Sequence, residues 1–374
     1  MTVKNRVIAP FRYDFVGSFL RPDALKEARQ AFENGEISND ELTEVENKAI
    51  EALIEKQKEL GLHSITDGEF RRSWWHLDFM WGLGGVEKIE VDHGYQFNAV
   101  ETRAESARLT GKLSGSNHPF IEHFKFVKQF EDDNTIARQT IPAPAQFLAE
   151  LYRPENVEAT TAVYPDKTDL LNDIAAAYQT FIQELYDAGC RNLQLDDCTW
   201  GMLVDENYWK LRDDDVTVTE VSQEYVNLNN KAIENRPADL VVNTHVCRGN
   251  YRSQWASSGA YDTVADILFG EENVDGYYLE FDTERAGGFE SLKKVSGEKQ
   301  VVLGLVSSKT RALEDKKEII ERIETAAQSI DKDRLCLSPQ CGFASTEEGN
   351  ELTEEEQWNK MKLVKEIAKE VWGN

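Results

Sequence analysis

Eight short apolar runs, each typical of a β-strand, alternate with amphipathic helical stretches along nearly the whole chain. The runs occupy residues 13–17, 63–67, 136–141, 192–196, 240–247, 276–280, 300–306 and 335–338. Between them, stretches such as 41–60 place their apolar residues on one helical stripe, and Gly61 follows as a helix terminator does. Eight strand–helix units predict an α/β fold, a parallel sheet closed into a (β/α)8 TIM barrel.

One segment interrupts this alternation. Within residues 82–122, turn residues separate two short runs with alternating polarity at 86–91 and 108–113. Such a pattern is typical of antiparallel strands. We therefore expect a single barrel domain over residues 1–374, with a β-hairpin insertion at about 82–122, after strand two.

The charge balance limits the classes of partner. The chain has 42 basic and 68 acidic residues, a formal charge of −26, so its surface repels nucleic acid and anionic membranes. No run approaches the roughly 18 apolar residues that span a bilayer, and residues 1–10 lack the apolar core of a signal peptide. Five cysteines, an odd number, do not suggest a disulfide framework. We expect a cytoplasmic protein that acts on small molecules.

Four residues with metal-binding side chains stand at the ends of three runs: His245, Cys247, Glu280 and Cys341. Residues two apart in a strand face the same side, so His245 and Cys247 can bind one ion together. The carboxyl ends of barrel strands meet at one face, which brings Glu280 and Cys341 to the same place. This donor set suits tetrahedral zinc. The sequence therefore predicts a Zn²⁺ site in a catalytic cavity.

Other polar residues also follow strand ends, among them Ser18, Glu69 and Asp196. Because functional side chains of such barrels lie at this face, we expect these three beside the metal site. Structural alternatives remain open: the carboxylates can pair with Arg71 or Arg72, and Ser18 can satisfy a helix N-terminus. Residues 74–76, Trp-Trp-His, can line the cavity or only pack against the barrel.

Taken in order, these motifs resemble the catalytic domain of cobalamin-independent methionine synthase. His-x-Cys at 245–247, Glu280 and Pro-x-Cys-Gly at 339–342 are similar to its metal motifs. Gly-Ser-Phe at 17–19, Asp-Gly-Glu at 67–69 and Gln-x-Asp-Asp at 194–197 resemble further family segments. The resemblance implies a zinc-dependent methyl transfer to homocysteine sulfur, giving methionine. It also implies that Ser18, Glu69 and Asp196 hold the amino acid part of the substrate.

The predicted ligand set agrees with that chemistry. Two thiolates and a carboxylate make the ion electron-rich, so it activates water poorly but keeps a bound thiolate reactive. Alkyl transfer to sulfur is therefore favoured over hydrolysis. Glu280 is the hardest ligand of the four, and its release would open a position for the substrate; it is therefore also a candidate catalytic residue.

Two departures from the family concern the methyl donor. The long enzymes carry an N-terminal barrel that helps to bind folate, and we expect no room for one in 374 residues. The family also has a proton-donating His at the end of strand seven, where residues 305–309 read Leu-Val-Ser-Ser-Lys. Ser307 is therefore the candidate catalytic residue at that position. A sulfonium or methylcorrinoid donor would not need the missing proton. Two further alternatives are alkyl transfer to another thiol and a non-enzymatic zinc-binding protein.

Overall fold

A computed structural model of the chain describes residues 8–210 and 216–373. Its central feature is a parallel sheet of six strands in the order β10-β9-β8-β7-β6-β5. Residues 1–7, most of the segment examined for a signal peptide, lie outside the described part. The strands are β1 (Ser64–Ile65), β2 (Gly84–Glu90), β3 (Glu105–Ser114), β4 (Ile136–Ala137), β5 (Gln139–Pro142), β6 (Asn192–Asp197), β7 (Val241–Val246), β8 (Gly276–Glu280), β9 (Gln300–Val306) and β10 (Leu335–Pro339).

The hydrogen-bonded ladders of the described residues do not form the expected closed ring. β1 pairs in parallel with β4 as a separate two-stranded sheet, in register Ser64 with Ile136. The predicted first strand, 13–17, is not a strand of the structure; its Tyr13 makes one isolated parallel bridge to Leu337. These segments are too short or too irregular for continuous ladders. The fold is therefore observed as an α/β arrangement with a six-stranded parallel sheet, a separate parallel pair β1–β4 and the single bridge from Tyr13 to Leu337.

An antiparallel pair lies between β1 and β4 in the chain. β2 pairs with β3 over Gly84–Glu90 and Glu105–Ser114, with a register shift between Gly84 and Val86. Gly85 has φ +81°, and a side chain there would meet the Lys112 carbonyl oxygen at 2.4 Å. Glycine is thus required where the register shifts.

Helices follow most strands, and several begin at side-chain caps that the sequence already contains. Ser38 and Thr353 each form a capping box, with Glu41 and Glu356 respectively, and Gly61 ends α2 in the left-handed conformation. The helices are α1 (Asp23–Glu33), α2 (Asn39–Leu60), α3 (Leu77–Trp81), α4 (Phe120–Lys128), α5 (Pro144–Leu151), α6 (Val157–Val163), α7 (Lys167–Asp187), α8 (Thr199–Leu203), α9 (Glu206–Lys210), α10 (Val218–Ile233), α11 (Ala265–Glu271), α12 (Lys316–Ala326) and α13 (Glu354–Trp372).

The six-stranded sheet is covered on both faces. All residues of β5, β6, β8 and β10 are buried, as expected of parallel strands between layers. The apolar stripe of α7 contributes Leu170, Ile174 and Phe181 to the core. Within the described residues, no helix is both long and apolar enough to cross a membrane. This packing holds the carboxyl ends of β6 to β10 at one edge.

Candidate metal centre

Four potential metal ligands meet at the carboxyl ends of three parallel strands. His245 lies in β7 and Cys247 directly follows it; Glu280 ends β8, and Cys341 comes two residues after β10. One donor atom from each lies within 4.8 Å of the donor atoms of the other three, and all four residues are buried. The structure thus brings together the four residues that the sequence singled out, in an arrangement that could hold a metal ion.

The distances suit a tetrahedral thiophilic ion. The Sγ atoms of Cys247 and Cys341 are 3.8 Å apart. Two ligands at a zinc–sulfur distance of ~2.3 Å span roughly 3.8 Å in a tetrahedron. His245 Nε2 and Glu280 Oε1 are 4.0 Å apart. This is slightly wider than the separation of two tetrahedral ligands, because zinc–nitrogen and zinc–oxygen bonds are shorter than zinc–sulfur bonds. The donor set therefore fits zinc in type and spacing.

The two thiols need a cation to ionise. Their mutual contact and burial raise the pKa of Cys341 well above its ordinary value. The pKa of Cys247 is also raised, first by its contact with Cys198 and then by burial. Thiolate is the form that binds metal, and coordination removes the proton. A divalent ion held by these residues would supply the positive charge that ionised buried thiols need.

His245 is oriented by Asp196, which the family resemblance assigned to the substrate. Its Nδ1 lies 3.1 Å from Asp196 Oδ1, which leaves Nε2 on the side of Glu280. A carboxylate on the far nitrogen of a histidine ligand fixes the ring and its tautomer. Asp196 also accepts from Gln194 Nε2 at 2.9 Å. Asp196 therefore supports the candidate metal centre directly, a role that sequence reasoning missed.

Glu280 is surrounded by cations that the sequence analysis did not select. Its Oε1 accepts from the Arg248 backbone N–H at 2.9 Å, while Oε2 lies 3.6 Å from Arg285 Nη2 and 4.0 Å from Lys309 Nζ. Burial alone would raise the pKa of Glu280, but Lys309 and Arg285 hold it below the ordinary value. The signal available in the sequence was the position of Lys309, just beyond the strand-like run 300–306.

A cavity of about 380 Å³ opens beside the four ligands. Its polar lining includes Ser18, Glu69, Asp196, His245, Cys247 and Cys341. The lining also includes the aromatic residues Trp74, Trp75, His76, Tyr95, Phe97 and Tyr251. The expected substrate residues therefore share one cavity with three of the metal ligands, and residues 74–76 form part of its wall.

Glu69 is held in a strained turn beside this cavity. Its φ is +64°, which is uncommon for a residue with a side chain. Oε1 accepts from Thr140 Oγ1 at 3.0 Å and lies 3.3 Å from Arg72 Nη1, whereas Oε2 is buried without a hydrogen-bond partner among the described residues. Burial raises the pKa of Glu69 to about 7, against the opposing charge of Arg72. The expected structural pairing with Arg72 thus exists, yet it leaves one oxygen unused.

Ser18 does not cap a helix. The N-cap of α1 is Pro22, and Ser18 Oγ instead accepts from the Ala344 backbone N–H at 3.2 Å. A Cβ on Gly342 would approach Ser18 Oγ to 1.9 Å, so only glycine fits after Cys341. Ser18 is packed against the segment that carries Cys341.

Ser307 lies apart from the cavity. Its Oγ donates to Asp282 Oδ2 at 3.1 Å, and its backbone N–H donates to Glu314 at 2.8 Å. Within the described part of the chain, the residues lining the cavity do not include it. The Ser307 side chain therefore does not reach the cavity in this structure, and its catalytic role stays a prediction.

Comparison with known proteins gives a consistent relationship. The chain matches the family model described as "Cobalamin-independent synthase, Catalytic domain" over residues 13–117 and 156–370. It is 44% identical over 370 residues to the uncharacterized protein YxjH of Bacillus subtilis (strain 168), covering 97% of this chain and 95% of that protein.

Two solved structures are similar along their whole length. The putative vitamin-B12 independent methionine synthase from Listeria monocytogenes is 42% identical with a TM-score of 0.77, covering 98% of this chain and 99% of that one. A B12-independent methionine synthase from Shewanella sp. W3-18-1, in complex with selenomethionine, is 19% identical with a TM-score of 0.72, covering 97% and 98%. At 19% identity the second likeness concerns the fold alone.

Proposed function

The chain belongs to the cobalamin-independent methionine synthase family, and we propose that it transfers a methyl group to the sulfur of homocysteine in a zinc-dependent reaction that gives methionine. One observation carries the proposal: four buried metal-binding side chains meet beside a cavity that also presents Ser18, Glu69 and Asp196. Inert zinc sites are closed by four protein ligands, often from paired Cys-x-x-Cys motifs, whereas this cluster adjoins open space.

The residues of the chain divide the task. His245, Cys247, Glu280 and Cys341 would hold the ion, which when bound supplies a soft Lewis acid that keeps the acceptor sulfur in its thiolate form. The buried carboxylates of Glu69 and Asp196 receive the substrate ammonium, since a desolvated cation needs anionic partners. Backbone groups after Gly17 receive its carboxylate. The selenomethionine complex of the Shewanella protein, which shares this fold, supports an amino acid as the substrate class.

A direct assay tests the activity. Zinc-loaded protein is incubated with homocysteine and a methyl donor, and methionine is measured. Cys341→Ser provides the matched control, because it removes one ligand and should abolish both zinc binding and product. A protein that holds zinc but forms no methionine with any donor would refute the proposal.

The methyl donor need not be a polyglutamyl folate. The formal charge of −26 disfavours a polyanionic tail, and residues 305–309 carry no histidine where the family has its proton donor. A nitrogen leaving group departs poorly unless it is protonated, so a folate donor suffers most from this difference. Methyltetrahydrofolate, its triglutamate, methylcobalamin and S-methylmethionine are therefore compared as donors. Turnover with the triglutamate alone would contradict this part of the proposal.

We also propose that the fold is a single closed (β/α)8 barrel with β2 and β3 as an insertion. Two observations support closure. Phe19 N–H donates to the Gly68 carbonyl at 3.1 Å, which links the chain just after residues 13–17 to the turn that follows β1. Arg138 Nη2 donates to Asp14 Oδ1 at 2.7 Å and to Tyr278 Oη at 2.9 Å. Buried side chains from the run 13–17, from the residue between β4 and β5, and from β8 therefore meet in one network. We also propose a cytoplasmic location, a reducing compartment in which the buried thiols of Cys247 and Cys341 would stay available to a metal ion.

A further inference from the structure

The two oxygens of the Glu280 carboxylate face different surroundings. Oε1 lies on the side of the metal cluster, 4.0 Å from His245 Nε2, and accepts from the Arg248 N–H. Oε2 has no hydrogen-bond partner among the described residues, although Arg285 Nη2 and Lys309 Nζ lie 3.6 and 4.0 Å away. A fully buried carboxylate oxygen that faces two cations without a hydrogen bond is unusual, because such groups ordinarily close to contact.

Of these two cations, Lys309 is the one whose hydrogen-bond donors have no acceptor among the described residues. Arg285 already donates to Asp282 Oδ1 at 3.1 Å and to the Ser257 carbonyl at 3.3 Å. Lys309 Nζ is buried and has no hydrogen-bond partner in the described part of the chain. The carboxylate of Glu280 lies 4.0 Å from it. A buried ammonium in this condition is costly to maintain, and a shift of roughly 1 Å would bring it to hydrogen-bond distance of Oε2.

The charge of the site changes when a thiolate arrives. Two cysteine thiolates, one carboxylate and a divalent ion sum to −1, and a substrate thiolate would make this −2 in a buried place. Loss of the carboxylate from the ion restores the balance only if that carboxylate finds a counter-ion nearby. Arg285 and Lys309 are the two cations beside Glu280 Oε2, and neither is among the described residues that line the cavity.

We propose that Lys309 is a positioning residue that receives the Glu280 carboxylate when the acceptor sulfur replaces it on the ion, an inference that rests on the proposed function. On a bound ion this exchange would break one metal–oxygen bond and form one metal–sulfur bond, and the thiol proton would pass to the bulk buffer. Lys309 keeps its charge throughout. Arg285 holds the second flank of the released carboxylate.

Cobalt-substituted protein tests the inference through its absorption spectrum, which reports the ligands of the ion independently of turnover. Homocysteine is titrated into the wild type and into Lys309→Met, which removes the charge and keeps most of the length of the side chain. We expect both proteins to bind one cobalt, and the variant to need roughly 10-fold to 100-fold more homocysteine for the same spectral change. Lys309→Arg should recover most of the response.

Lys299→Met is the matched control. Lys299 is a half-buried lysine whose Nζ donates to the Glu272 carbonyl at 2.6 Å, away from the cluster. This variant should show the wild-type titration. Lys309→Gln, which keeps a hydrogen-bond donor without charge, should show the same loss as Lys309→Met and provides the reading if that variant does not fold.

The possible results separate the two levels of the proposal. A wild-type spectrum that does not respond to homocysteine refutes the proposed function, whether or not it responds to 2-mercaptoethanesulfonate. A wild type that responds, with Lys309→Met and Lys309→Gln responding at the same homocysteine concentration, overturns only the role of Lys309. Loss of cobalt from the lysine variants also overturns it, because Lys309 would then support the bound carboxylate instead of receiving the released one.

Discussion

Glu69→Gln should stabilise the metal-free fold at neutral and alkaline pH while weakening the binding of the amino acid acceptor. The pKa of Glu69 is raised from its ordinary value of 4.5 to about 7 by burial. A carboxyl with a raised folded-state pKa binds its proton more tightly when folded. Its ionisation therefore costs stability, beginning near the unfolded pKa and reaching full size above the folded pKa.

The magnitude follows from the size of the shift. A change from 4.5 to about 7 is 2.5 units, and at 1.36 kcal/mol per unit the cost is about 3 kcal/mol above pH 7. The amide of glutamine carries no such cost and can still accept from Thr140 Oγ1, which lies 3.0 Å from Oε1 in the native protein. The variant should therefore gain up to this amount at pH 8 and little at pH 4.5.

Urea unfolding of the metal-free protein at several pH values measures this gain, and homocysteine titration of the metal-loaded protein measures the loss of affinity. Glu272→Gln is the matched control: burial raises the pKa of Glu272 to about 8, but Glu272 is not among the residues lining the cavity within the described chain. It should stabilise the fold at high pH without changing homocysteine affinity. A Glu69→Gln protein whose gain is equal at pH 4.5 and pH 8, or which is less stable at pH 8, would refute the reasoning.

Three further predictions concern the metal centre and the interior. The protein should copurify with about one zinc per chain, measured by elemental analysis, and Cys341→Ser should lose that zinc. Cys190→Ser should retain it, because the native Cys190 thiol donates to the Asn192 carbonyl at 3.4 Å and is not one of the four candidate ligands. Asp196→Asn should lower zinc affinity by roughly 10-fold to 100-fold in a chelator competition, because the native carboxylate orients the histidine ligand at 3.1 Å; unchanged affinity would show that the contact is incidental. Arg138→Met should lower the free energy of unfolding in urea by about 3–5 kcal/mol, because it leaves the buried carboxylate of Asp14, 2.7 Å from Arg138 Nη2, without its cationic partner. A smaller loss would mean that the Asp14 carboxylate becomes protonated instead.

The order of strands and helices could be predicted from the sequence because both depend on local patterns. Apolar runs of the right length became β6 to β10, and the helical stripe of residues 41–60 became α2, which Gly61 ends. The first run, 13–17, was wrong as a strand, because a strand needs a continuous partner and Tyr13 has only one bridge, to Leu337. Local pattern cannot tell whether such a partner exists.

The metal cluster was also within reach of the sequence. A strand end fixes which way a side chain points, and parallel strands bring their carboxyl ends to one edge; together these two rules predicted that His245, Cys247, Glu280 and Cys341 would meet. The residues around that cluster were not predictable in the same way. Their roles depend on distances between side chains from different elements, which periodicity does not contain.

The sequence by itself thus determined the α/β alternation, the end of α2 at Gly61 and the four candidate metal ligands, because these depend on local periodicity and on positions at strand ends. Only the tertiary structure decided that Asp196 supports His245, that Ser18 packs on the segment of Cys341, and that Lys309 faces Glu280. These contacts join residues 29 to 326 positions apart in the chain. Their geometry exists only after the sheet has brought the strand ends together, so burial and charge at the site follow from packing.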